Sequence, residues 1–177
     1  MTVTLDTDDG SIGELRYEVG IAKAGDTIKF GSQLNNETIT LDPTKGQIKL
    51  ALGNLTIDGT GVNVTISGGG TNRIFEIASG VDTINNLSFT NGSVTGHDGG
   101  AMLVDNGVNL TLNNDTFTNN VVSGSAGGGA LADNGTLVVN NCTFSSNKAS
   151  ENGGAIYAPI GNSRVSLKVQ GCTFTSN

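Results

Sequence analysis

Asp105 and Asp133 are the first residues to weigh for chemistry, because each opens an Asp-Asn-Gly triplet and the two triplets lie 28 residues apart. If they stacked on neighbouring turns of a repeat, the carboxylates could face each other like the acid and base of a glycosidase, which stand roughly 5 to 10 Å apart. Asp-Asn-Gly is equally the sequence of a tight turn. The third copy has Pro159-Ile160-Gly161 in that place, so no catalytic role is assigned to the pair. A polysaccharide lyase would instead need an arginine or lysine base beside an acidic cluster. Arg73 and Arg164 lie far apart in repeat register, and the sequence places no such cluster near either. His97, the single histidine, sits in Gly-His-Asp-Gly-Gly with no serine or cysteine nucleophile motif to serve, and reads as a solvated loop residue. The glycine-rich run at 124–130 follows no phosphate-loop pattern. No catalytic constellation, cofactor or metal site follows from these residues.

Hydroxyls are better organised than carboxylates. Phe89, Phe117, Phe144 and Phe174 recur at spacings of 28, 27 and 30 residues, and each is flanked on both sides by Ser or Thr. If each phenylalanine points into a core, strand alternation turns both neighbours outward. Ser88, Thr116, Thr143 and Thr173 then form one ladder, and Thr90, Thr118, Ser145 and Thr175 a second. Such columns would run about 7 Å apart across the strand, with rungs roughly 4.8 Å apart. A grid of this kind suits ice or a crystalline polysaccharide. Thr is also simply favoured on exposed strands.

The elements that must carry this grid are repeats. Gly99–Asn120, Gly128–Asn147 and Gly153–Asn177 each run from a glycine pair through two short strands to a Phe-x-x-Asn ending, and Val81–Gly92 is a fainter copy. A period near 28 residues marks a stack in which no copy buries its apolar face alone. Three short strands and three turns per period make one coil of a parallel β-helix. Ile84, Leu112, Val139 and Val169 lie five residues before each phenylalanine, and Leu110, Leu137 and Leu167 seven before. Both columns are expected to point inward, with Asp82 as the exception in the faint copy. The glycine pairs should allow close backbone approach or positive φ at a corner. Asn120, Asn147 and Asn177 should stack as an amide ladder inside a turn. Cys142 and Cys172 hold one repeat position. Adjacent coils would bring them within disulfide range, but two small apolar side chains in a buried column is the favoured reading.

Ahead of the repeats, residues 2–6 alternate like a strand. Ser11 and Glu14 then form an S-x-x-E capping box opening a helix over about 11–24, with Ile12, Leu15, Val19 and Ala22 on one face, Ile21 beside them and Gly25 as the stop. This helix should cover the first coil. The domain reading is residues 1–25 for strand and cap, and 26–177 for about five coils. The chain stops directly after a repeat ending, which leads us to expect a piece of something longer. A net charge of −7, a pI near 4.4 and three arginines argue against nucleic acid and anionic membrane as partners. No apolar run reaches membrane-spanning length. Asn54, Asn63, Asn109, Asn134 and Asn141 stand in N-x-[ST] triplets, as expected by chance in so Asn- and Thr-rich a chain.

The Gly-Gly-Ala-[Ile/Met/Leu] start with its Phe-x-x-Asn ending resembles the repeats of chlamydial polymorphic outer membrane proteins and of other bacterial and archaeal surface proteins that carry them. Gly10–Phe30 is similar to the "SLREAI…GDTI.F" opening of that wider set, with Leu15-Arg16 the best-matched pair. The resemblance implies an all-β, right-handed parallel β-helix from a long exported, cell-surface adhesin. Its work would be to present loops and a Ser/Thr face to glycans or to host or neighbouring cell-surface proteins. A carbohydrate-active enzyme and an ice-binding face are the alternatives. Uncovered coil ends would favour end-to-end or edge self-association.

Overall fold

The computed structural model describes residues 1–159 and 165–177. All paired strands run parallel, stacked as a β-solenoid of about six turns. One sheet has seven strands, Thr2–Val3, Thr27–Phe30, Thr56–Asp58, Val81–Asn85, Asn109–Asn113, Thr136–Asn140 and Ser166–Gln170. A second has six, Thr38–Thr40, Thr65–Ser67, Ser88–Thr90, Thr116–Thr118, Thr143–Ser145 and Thr173–Thr175. The third contains Ile48–Leu50, Phe75–Ile77, Met102–Val104, Leu131–Asp133 and Ile156–Tyr157, and a short fourth contains Ser93–Thr95, Val121–Ser123 and Lys148–Ala149. The count is close to the expected five, and the first two strands of the second sheet precede the Phe89 rung. They carry Ile39 and Ile66 where later coils carry Phe, so a phenylalanine period does not reveal them.

Period-two alternation sends one side chain of each pair into a single continuous core. Ile84, Leu112, Val139, Leu110 and Leu137 are buried as the columns require, and the carboxyl of Asp82 is buried in its place among them, whereas Leu167 and Val169 of the strand Ser166–Gln170 are each 40% exposed. Phe89, Phe117, Phe144 and Phe174 stack with centroids 5.0, 4.9 and 4.9 Å apart. Coil corners are held by two devices. The amide of Asn120 donates to Asn147 Oδ1 at 2.9 Å, and that of Asn147 to Asn177 Oδ1 at 2.8 Å. The glycine pairs divide their labour. Gly128 takes a φ of +73°, whereas a Cβ on Gly129 would lie 2.1 Å from the Gly154 carbonyl oxygen.

The N-terminal helix is shorter than the capping box implies. The helix α1 spans Leu15–Ile21, with Glu14 as its N-cap residue. Ser11 does not cap it, because its hydroxyl donates to Asp9. The buried Glu14 carboxylate instead accepts from the N–H groups of Asp9, Gly10 and Ser11, tying down the preceding loop. Leu15, Val19 and Ala22 are buried, but Ile12 and Ile21 are 75% and 52% exposed and do not join that face. Arg16 forks onto Asp8 with both contacts at 2.7 Å and donates to the carbonyls of Gly46 and Gln47. Asp8 in turn accepts from Asp42 N–H. The Leu-Arg pair therefore locks the helix to the first coil.

Cys142 and Cys172 are stacked but unbonded, with Cys142 N–H 3.3 Å from Cys172 Sγ. Burial pushes the Cys142 thiol up to about 12. Since the thiolate is the reactive form, a Cys172→Ser variant is expected to resist a charged thiol reagent at pH 8 until denaturant is added. Fast labelling of the native protein would contradict this placement.

Candidate functional site

The second sheet presents the hydroxyl grid, and it is larger than the sequence suggests. Thr38 pairs with Thr65, Thr65 with Ser88, and the register continues through Thr116, Thr143 and Thr173. The parallel column is Thr40, Ser67, Thr90, Thr118, Ser145 and Thr175. Every outward position on six consecutive rungs is thus Ser or Thr, giving a surface roughly 24 Å by 7 Å. Ser67 alone among these is buried, its hydroxyl accepting from Gly69 N–H. Thr118 and Ser145 share a hydrogen bond of 3.0 Å along their column. Thr38, Thr40, Thr65 and Ser67 were missed in sequence. The signal that finds them is Thr-x-Thr or Thr-x-Ser about an apolar residue, whether or not that residue is Phe.

Strand propensity does not account for this uniformity, because the other faces of the same rod differ. On the seven-stranded sheet an outward column runs Thr27, Thr56, Thr83, Thr111, Val138, Lys168. On the third it runs Lys49, Glu76, Leu103, Ala132, Tyr157. A general preference for Thr on exposed strands would treat all faces alike. Only the second sheet excludes charge and aliphatic residues throughout. Beneath it the Phe117, Phe144 and Phe174 rings stack with neighbouring planes 5° apart.

The segment holding the rung Thr143–Ser145, the ladder residue Asn147 and the corner Gly153-Gly154 brings these devices together. Residues 141–159 match the Chlamydia polymorphic membrane protein (Chlamydia_PMP) repeat. With the parallel solenoid, the match makes this chain a β-helical repeat protein similar to that family, as its glycine pairs and Phe-x-x-Asn endings suggest. No curated protein matches the chain. The polymorphic membrane protein repeat fits a surface, adhesin-like repeat protein.

Asp105 and Asp133 are not a pair. Strand register places Asp133 opposite Val104, one residue before Asp105, so alternation turns the two carboxylates to opposite sides of the wall. Asp133 is fully buried and accepts from Gly135 N–H at 2.9 Å, serving its own turn. Burial raises its carboxyl, while burial and then Glu76 raise Asp105. Ile160, Gly161 and Arg164 lie outside the described residues. Arg73 does have acidic neighbours, contrary to the sequence reading. Glu76, Asp105 and Asp98 all act on its guanidinium, although burial lowers its pKa more than they raise it.

A second residue unmarked by sequence is Asp115, which occupies the column of Leu87, Cys142 and Cys172, two before each phenylalanine. Its Oδ1 accepts from Leu87 N–H at 2.9 Å, and its Oδ2 is buried without a partner. Burial pushes this carboxyl up to about 8. The group is a neutral acid inside the core, with no path to a substrate.

Proposed function

We propose that the chain is a rigid β-helical module of an exported surface protein and that the six-rung hydroxyl face is its adhesive surface. The single supporting observation is the unbroken Ser/Thr identity of both columns on that sheet alone. Eleven exposed or half-buried hydroxyls on a fixed backbone grid can hydrogen-bond a flat, repetitive, uncharged partner with little ordering cost, since the β-branched threonines among them are already restricted. A crystalline polysaccharide has that chemistry. Such binding is the sum of many weak contacts, so it should fail steeply when the grid is interrupted. Wild type is expected to be retained on particulate cellulose or chitin, and Thr116→Lys with Thr143→Lys to lose at least tenfold in affinity, about 1.4 kcal/mol or more. Unchanged retention would sink the proposal.

Ice is a second reading supported by the same regular grid, since ordered hydroxyls at fixed spacing can also order water. Thermal hysteresis and crystal shaping by wild type, abolished by the same double variant, would favour it over a glycan.

A further inference from the structure

We propose that the third sheet carries a separate binding site for a single neutral sugar unit, in a cavity of about 490 Å³ beneath the turns at 96–98 and 124–126. The volume falls in the range of small-ligand sites. The site is distinct from the hydroxyl face, and its chemistry differs. At its base lies Arg73, 7% exposed and pinned by three hydrogen bonds: Nε to the Gly99 carbonyl at 2.9 Å, Nη1 to Gln47 Oε1 at 2.8 Å, and Nη2 to the Asp98 carbonyl at 2.7 Å. A guanidinium has five N–H donors, so each terminal nitrogen keeps one for a ligand. Asp98 Oδ1 accepts from Gly127 N–H at 2.7 Å, which fixes the carboxylate and leaves Oδ2 as an acceptor.

Around this rigid donor–acceptor pair stand groups whose side chains have no hydrogen-bond partner among the described residues, the Ser125 hydroxyl and the Asn134 amide, with His97 at the mouth. Leu103 and Ala126 supply the apolar wall. A pyranose matches this set, since its vicinal hydroxyls both donate and accept while its ring C–H face is apolar. Charge decides against an anion. The Arg73 cation is already countered by Glu76, Asp105 and Asp98, leaving no surplus positive field for sulfate or phosphate.

The experiment is an amide NMR titration of the 177-residue chain with glucose, galactose, mannose and N-acetylglucosamine, each to about 20 mM, well above a Kd of about 1 mM. At least one sugar should give saturable shifts confined to Gly96, His97, Asp98, Ser125 and Asn134. Ser125→Ala and Asn134→Ala, both outside the core, should weaken that binding at least fivefold with the spectrum otherwise native. Thr118→Lys on the hydroxyl face should leave it unchanged, so this site and the adhesive face stand or fall separately. No saturable shift with any of the four sugars, shifts that survive both alanine variants, or a response to sulfate alone would each overturn the proposal.

Discussion

Asp115→Asn is expected to stabilise the rod at pH 8 and leave it nearly unchanged at pH 4. The carboxyl is raised from 3.8 to about 8 by burial, and its orphaned Oδ2 is where the proton sits. Between those pH values the folded chain holds a proton that the unfolded chain has released. The stability contributed by the neutral acid is therefore complete below the unfolded pKa and is lost as pH rises towards 8. About four pH units at 1.36 kcal/mol each put the loss at roughly 5 kcal/mol. Asparagine reproduces the neutral acid without a titration, keeping an oxygen for Leu87 N–H. Denaturant melts of both proteins from pH 4 to 9 check this. The stability difference should open with rising pH, and a difference independent of pH would show that Asp115 is ionised in the fold. Asp82 and Asp133 are raised in the same direction by burial and keep unpartnered Oδ2 atoms. They should add to the wild type's loss of stability with rising pH.

Phe117→Ala should cost about 3–5 kcal/mol, the usual range for truncating a buried ring. Phe117 is fully buried, with rings 5.0 Å on one side and 4.9 Å on the other. In a stack whose stability is a sum of neighbour interfaces, its loss weakens both interfaces at once. Phe117→Leu keeps much of the volume and should cost less. Hydrogen exchange should show the damage centred on residues 88–90 and 143–145, which pair with the mutated strand. Uniform loss of protection along the chain would mean that the solenoid unfolds as one unit.

How legible this molecule was depended on which signal repeated. Phenylalanine recurring every 27 to 30 residues exposed four coils, the apolar inward columns and the Asn120–Asn147–Asn177 ladder. The first two rungs escaped because Ile39 and Ile66 fill the same core position with a different shape. The helix start was misplaced because Glu14 folds back on three loop N–H groups, a contact that resembles a capping box in sequence without placing Ser11 at the cap. Asp105 and Asp133 were misaligned because the Asp-Asn-Gly triplets repeat at 28 residues while the strands before them pair Met102 with Leu131, one residue out of step. A slip of one reverses every side chain. The cavity around Arg73 draws on residues from several coils with no shared motif, so only the folded chain brings it together.

The proposed adhesive face is tested most directly by retention of paired lysine variants on the same crystalline polysaccharide. Thr118→Lys interrupts the hydroxyl grid. Thr111→Lys places the same residue on the seven-stranded sheet, in a column that already tolerates Lys168. Thr118→Lys is expected to lose retention while Thr111→Lys keeps the wild-type isotherm. Equal behaviour of the two variants, or no retention of wild type, would contradict that proposal.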